Sequence, residues 1–325
     1  MDKNGAAASV HTGMGTEMMH KAFGRHAAEA LRAVAGEAKR LECMLSRFLP
    51  GSEIGRVNKS AGVKREKLNP DTYEVLSRAA AIAKISHGLF DVTSGPLVDL
   101  WDYKHAFLIP DEARIKRVLP LVDHAGLVLD PRSKTAGLQK AGQSIDLGGI
   151  GKGFAADRFL EIFKEYGVTS AFTNIGGNVS TLGVRPDGSP WRVGLRHPRR
   201  NGRLLGAVSV AGKAVVTSGD YERYFIDAEG KRRHHILDPT TGYPAESGLI
   251  SVTVVAGSAT TADGLSTLLF IAGMEKGRKY LHQFPGAEAI FVDTSLTVYI
   301  SSGLKDTFQA EPGLGTSVNY FRAKG

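Results

Sequence analysis

The sequence is nearly without cysteine: Cys43 stands alone among 325 residues. A single thiol forms no intramolecular disulfide and builds no cysteine-based zinc site. Within a helical pattern it reads as a small buried apolar residue. Long apolar runs are missing as well, and none approaches the ~18–20 residues that span a bilayer. The opening stretch, Met1-Asp2-Lys3-Asn4-Gly5, leads into Ala and Ser without the apolar core of a signal peptide and without a lipobox. The expectation is a cytoplasmic protein, with an exported form after removal of a leader as the alternative. Repeats and low-complexity linkers are absent, and the glycines keep no three-residue period, which excludes a fibre. Acid is the scarcer charge: 33 Asp and Glu stand against 41 Lys and Arg, a net +8. That balance favours anionic partners. Yet the densest basic runs, Arg196-His197-Pro198-Arg199-Arg200 and Lys231-Arg232-Arg233-His234-His235, lack interleaved aromatics. They read as solvated basic faces, with no specific nucleic-acid site.

What is present fits a globular protein: 42% apolar and 23% charged residues. Glycine is abundant, at 39 residues, about 12% against a usual ~7%. Such a chain needs many positions of positive φ or close approach. Apolar residues recur at helical spacing through Leu31, Val34, Ala38, Leu41 and Leu45, predicting a helix within 22–45 that Pro50 and Gly51 end. A second helix is expected over 71–86, a third over 154–166, and two more over 263–272 and 275–284. Short strands are expected at 143–147, 171–174, 191–195, 207–210, 214–217 and 250–256, with a hairpin pairing 289–292 and 296–300. Residues 1–13 read as a flexible tail. The class is α+β: one interlocked domain, with a mixed or antiparallel sheet and flanking helices.

Three segments carry chemistry. In Ile145-Asp146-Leu147-Gly148-Gly149-Ile150-Gly151-Lys152-Gly153-Phe154-Ala155-Ala156-Asp157, a strand ends at an acid, turns on glycines and enters a helix. Small residues let backbone N–H groups approach an anion, and the helix N-terminus adds partial positive charge. The spacing matches neither a Walker loop nor G-x-G-x-x-G, and a plain tight turn is the alternative reading. In His234-His235-Ile236-Leu237-Asp238-Pro239-Thr240-Thr241-Gly242-Tyr243-Pro244, two imidazoles stand beside a turn-rich loop. Adjacent residues on an extended strand point to opposite faces, so one imidazole is expected in a site and the other in solvent. Asp238 reads as turn chemistry. In Ala262-Asp263-Gly264-Leu265-Ser266-Thr267, Asp263 and Thr267 share one helix face. A carboxylate with hydroxyls suits Mg²⁺; the alternative is that Asp263 caps its helix.

In this order, the segments resemble the ApbE-type family of FAD:protein FMN transferases, the flavin transferases. Further matching pieces are Met14-Gly15-Thr16, Leu45 through Asn58, Gly88 through Val98 with Leu100-Trp101, Asn174-Ile175-Gly176-Gly177-Asn178 and Thr217-Ser218-Gly219. The resemblance covers about residues 14–304 and leaves 305–325 as a C-terminal extension. It implies an α+β fold that binds FAD with a divalent metal, Mg²⁺ or Mn²⁺, at the pyrophosphate. It implies transfer of FMN to a Ser or Thr hydroxyl of an acceptor protein, with a membrane redox subunit as one candidate, and release of AMP. By position, Met14, Phe48, Leu89, Phe90, Asp91, Asp146, Lys152 and Leu237 would touch the flavin nucleotide. The metal would be held by Asp263, the Thr267 hydroxyl and the Gly149 carbonyl. Phe48 stands where the family commonly has Tyr, and Ser266 where it often has an acid.

The residue types suit this reaction. The pyrophosphate repels an oxygen nucleophile; two unit charges ~4 Å apart interact by about 4 kcal/mol at an effective dielectric near 20. A cation and Lys152 offset that repulsion. A neutral imidazole suits proton removal from the acceptor hydroxyl, which makes His235 the candidate base, with Asp263 the second catalytic candidate. An unperturbed imidazole would give an ascending pH limb near ~6.5. Alternatives are an FAD pyrophosphatase, with water as nucleophile, and a non-catalytic flavin-binding protein.

Overall fold

The computed structural model describes residues 5–103, 105, 107–312 and 317–322. The chain opens on β1 (Ala6–Gly13) and β2 (Thr16–Phe23), then forms α1 (Ala27–Leu45), α2 (Glu53–Lys59), β3 (Glu66–Lys67) and α3 (Pro70–Ile85). There follow α4 (Gly95–Trp101), α5 (Glu112–Val118), β4 (Leu127–Asp130), β5 (Thr135–Leu138) and α6 (Gly151–Glu165). Next come β6 (Ser170–Ile175), β7 (Asn178–Leu182), β8 (Trp191–Arg196), β9 (Leu204–Val210), β10 (Ala214–Gly219), β11 (Tyr224–Ile226) and β12 (Arg232–His234). Last are β13 (Leu249–Ala256), α7 (Ala259–Leu281), β14 (Glu288–Asp293), β15 (Val298–Ser301), β16 (Phe308–Ala310) and β17 (Val318–Phe321).

One nine-stranded sheet in the order β1-β2-β6-β7-β10-β13-β14-β15-β17 organises the molecule, with only β15 and β17 paired parallel among its ladders. Smaller sheets are β3-β5-β4, β16-β9-β8 and the β11-β12 ribbon. β13 is buried along its whole length, which explains its unbroken run of apolar and hydroxyl residues. The main core lies between this sheet and α1, α3, α6 and α7, filled by Phe154, Phe159, Phe163, Phe270 and Phe291. The α+β class and the single interlocked unit stand.

Several expectations are corrected. Residues 6–13 are no tail: β1 pairs with β2 along its full length, from Ala6↔Phe23 to Gly13↔Thr16. Residues 1–4 lie outside the described residues. The C-terminal extension 305–325 joins the fold, because β16 pairs with β9 and β17 with β15. Its residues 313–316 and 323–325 are outside the described set. The expected strand at 143–147 reduces to a parallel bridge, Ser94↔Ser144, since Asp146 and its neighbours bond to loops. Cys43 is exposed, on the outer face of α1. The helix expected to start at Asp263 starts four residues earlier, where the Ser258 side chain accepts from the Thr261 N–H. It turns at Gly273, whose φ of 74° needs glycine, and so supplies both expected helical pieces. The basic runs are paired rather than merely solvated. Arg199 grips Asp220 through two bonds of 2.7 and 2.6 Å, Arg233 bonds Asp227 at 2.7 Å, and Arg196 pairs with Glu222.

Candidate active site

The site is built where the N-terminal turns of α6 and α7 cross. Each helix caps the other. The Gly153 N–H, in the first turn of α6, donates to Asp263 Oδ2 at 2.8 Å. In return Asp157 of α6 receives four donors from the start of α7: Ser258 Oγ (2.7 Å), Ala259 N–H (2.7 Å), Thr260 N–H (3.0 Å) and Thr260 Oγ1 (2.7 Å). Helix starts leave unpaired N–H groups, and carboxylates there gain from both the bonds and the helix dipole. Close crossing demands glycine at 153: a Cβ there would fall on the Ala259 carbonyl oxygen and within 2.7 Å of Asp263 Cβ.

Asp263 is buried at 3% exposure. Its Oδ1 accepts from Asn178 Nδ2 at 3.0 Å and lies 3.7 Å from Lys152 Nζ. One turn on, Thr267 Oγ1 is 3.3 Å from Ser218 Oγ, which is also 2.9 Å from Ser266 Oγ. Gly149 sits against this face, since a Cβ on it would lie 3.4 Å from Thr267 Oγ1. Gly149, Asp263 and Thr267 are therefore brought together. Among the described residues no group of three or more His, Cys, Asp or Glu side chains could hold a metal. The set here has one carboxylate and otherwise hydroxyl and carbonyl oxygens. Such donors fit a hard cation that keeps waters or phosphate oxygens as its remaining ligands.

Lys152 bonds the Gly148 carbonyl at 3.1 Å, leaning over the glycine turn. Asp146 closes that turn by accepting the Gly148 N–H at 2.7 Å, and Arg47 approaches its other oxygen at 3.4 Å. Arg47 also bonds Asp99 at 2.6 Å and stacks 5.4 Å from the Phe48 ring centroid. Phe48 is 65% exposed, a ring set at the rim. Met14 adopts φ 50°, donates its N–H to Glu42 Oε1 at 3.1 Å and points its thioether toward Gly151.

The two histidines separate by alternation, but neither faces open solvent: the one expected there is buried in the core. His234 is buried: Nε2 meets the Ala245 carbonyl at 3.1 Å, Nδ1 accepts the Ile236 N–H at 3.3 Å, and the ring stands edge-on to Phe270. His235 is half-buried, with Nδ1 3.2 Å from the Arg223 carbonyl. Desolvation of the ring, then the Arg223 charge, push its imidazole down to about 3; the Lys152 charge adds a smaller push in the same direction. Nδ1 facing a carbonyl carries the proton, which leaves Nε2 as the acceptor.

The chain has known relatives. The sequence profile of the ApbE family matches residues 14–291. The chain belongs to the ApbE family. It is 36% identical over 291 residues to an FAD:protein FMN transferase of Klebsiella pneumoniae, covering 89% of this chain and 90% of that one. It is 35% identical to an FAD:protein FMN transferase of Treponema pallidum, over 85% of this chain and 80% of the other. A crystal structure of the ApbE protein of Thermotoga maritima superposes with a TM-score of 0.85 at 31% identity, covering 92% of this chain and 98% of that one.

Within this ApbE-family fold, some residues expected at the nucleotide lie deeper. Phe90 is buried, its ring backing Gly149 and Gly264, so it shapes the glycine turn from behind. Asp91 is buried too and accepts from the Thr93 N–H (2.7 Å) and hydroxyl (2.8 Å); burial raises its pKa. Leu237 packs with Leu97, Trp101, Ile115 and Phe225, while Leu89 is half-buried beside the main core. Asp238 is turn chemistry as expected, accepting from the Thr240 N–H at 2.8 Å. Asp263 caps a helix, but a neighbouring one, so the capping reading named the right bond type on the wrong partner. Sequence reasoning gave no role to Arg47, Asp157, Asn178, Ser218 or Arg223. All but Arg223 lie inside motifs already recognised; what was missing was the knowledge of which segments meet.

Proposed function

We propose that this chain is an FAD:protein FMN transferase. It binds FAD and moves the FMN moiety to a Ser or Thr hydroxyl of an acceptor protein, as a phosphoester, with release of AMP. The observation that carries this reading is the crossing of α6 and α7. It gathers one buried carboxylate, a glycine turn, a lysine and a helix N-terminus on one spot, which is a setting for a diphosphate. Membership of the ApbE family supports the flavin nucleotide as its owner.

The chain's residues divide the work. Lys152 and the α6 N-terminus face the diphosphate and oppose its charge, most strongly as charge grows on the departing AMP phosphate. Phe48 at the rim offers a stacking face for an aromatic ring of FAD. His235 Nε2 accepts the proton of the attacking hydroxyl. The hydroxyl oxygen bonds the FMN phosphorus, the P–O bond to the AMP phosphate breaks, and AMP departs with that electron pair. A divalent cation, Mg²⁺ or Mn²⁺, held by Asp263, the Thr267 hydroxyl and the Gly149 carbonyl, would supply charge neutralisation at the diphosphate.

The test is intact mass of a Ser/Thr-bearing acceptor after incubation with this protein, FAD and Mg²⁺. An FMN-sized gain supports the transferase. FAD cleavage to free FMN and AMP with no gain on any of several acceptors would favour hydrolysis. Intact FAD throughout would leave only a flavin-binding protein.

A further inference from the structure

The segment Asn174-Ile175-Gly176-Gly177-Asn178 is recognisable as a motif, yet the reaction above gives its residues nothing to do. Its two asparagines do different things. Asn174 stays local: its Oδ1 accepts the Gly177 N–H at 2.9 Å and closes the β6–β7 turn. Asn178 reaches out of the hairpin, and its Nδ2 donates to Asp263 Oδ1 at 3.0 Å. Asn178 is buried at 3% exposure, as is Asp263, so this bond is made away from bulk water.

The geometry around Asp263 is then over-determined. Oδ2 accepts from the Gly153 N–H and Oδ1 from the Asn178 amide, so both oxygens are tied and the carboxylate plane cannot rotate. Each oxygen keeps lone-pair capacity for one further partner. A neutral donor suits this place. It orients the carboxylate without cancelling its charge, as a second cation beside Lys152 would, and without repelling it, as an acid would.

We infer that Asn178 is a positioning residue for the cation: it fixes the Asp263 carboxylate, one turn before Thr267, in a single orientation. The inference rests on the metal reading of the proposed function. Partners of this kind, one bond removed from a metal ligand, are worth 10–100-fold in metal affinity.

The experiment titrates Mn²⁺ into the full chain with FAD present and follows free Mn²⁺ by electron paramagnetic resonance. Asn178→Ala should weaken Mn²⁺ binding 10–100-fold, with the metal-free melting temperature within a few degrees of wild type. Asn174→Ala, which loosens the same turn without touching Asp263, should leave Mn²⁺ affinity unchanged. If Asn178→Ala folds poorly, Asn178→Ser replaces it, because its hydroxyl is too short to reach Asp263. Wild-type Mn²⁺ affinity in both Asn178 variants would overturn the inference. Equal weakening by Asn174→Ala would overturn it as well, because turn integrity alone would then be the cause. A wild-type chain that binds no Mn²⁺ would overturn the metal reading beneath it.

Discussion

The α6–α7 crossing and the rim formed by Phe48 and His235 are two halves of one site built by opposite means. At the crossing both carboxylates are tied before any ligand arrives: Asp157 holds four donors and Asp263 two. The rim is open, with an exposed ring and a half-buried imidazole anchored by one carbonyl. The difference teaches where each kind of change registers. Substitutions that part the two helices strike the fold, and those that uncharge or free Asp263 strike the cation. Substitutions at the rim strike binding or rate and leave the fold alone.

Gly153→Ala should break the crossing most severely. Its methyl cannot coexist with the Ala259 carbonyl unless two packed helices separate. The expected loss is about 3 kcal/mol or more, beyond ordinary overpacking, together with the activity. Urea unfolding and an FMN-transfer assay would read both.

His235→Ala should lower the saturated transfer rate on the order of 10²–10⁴-fold, with FAD still bound and stability near normal. The pH profile sharpens this. Because the imidazole is held down to about 3 in the free protein, it is neutral across the working range but a weak base until nearby negative charge raises it. The free-protein profile should therefore show no ascending limb near ~6.5, unlike an unperturbed histidine. Bound diphosphate places negative charge nearby and should raise the value. Titration of His235 by nuclear magnetic resonance, with and without FAD, checks the direction. His234→Ala should do the reverse of His235→Ala: stability falls by roughly 2 kcal/mol, through lost bonds and ring packing, while the saturated rate holds.

The readable part of this molecule was the part carried by local pattern. The apolar spacing of α1 and Asp71 after Pro70 announced their helices, and the β-branched run of β13 announced its strand. Helical spacing joined Asp263 to Thr267, the family resemblance added Gly149 and Lys152, and alternation separated His234 from His235. What escaped was set by distance along the chain. Residues 6–13 look like a tail because Ala and Ser carry no apolar alternation; only pairing with β2 makes them a strand. Phe90 and Asp91 sit in a recognisable motif, but no local pattern shows that the Phe90 ring backs Gly149 and that the Asp91 carboxylate turns to Thr93. Asp157 and Asn178 act across gaps of 101 and 85 residues, which no local pattern reports.

Asp157→Ala should cost roughly 2 kcal/mol, since it uncaps the start of α7 and strands several donors at once. Thermal unfolding with and without Mg²⁺ would show that the added metal recovers part of that loss. Phe48→Ala is the mildest change: FAD affinity should weaken by about tenfold through lost stacking, with melting unchanged. Calorimetry with FAD reads it, and Phe48→Tyr should bind as well as wild type.

Asp263→Asn separates the two roles assigned to one carboxylate. Asparagine keeps an oxygen for the Gly153 N–H but removes the charge that would meet a cation, so the helix cap survives and the ligand does not. The deciding measurement is FMN transfer by Asp263→Asn across a Mg²⁺ titration, beside its metal-free unfolding curve. The expected result is a rate lower by on the order of 10²-fold or more, with stability within about 1–2 kcal/mol of wild type. Transfer at the wild-type rate, with the wild-type response to Mg²⁺, would contradict the account and leave Asp263 a helix cap alone.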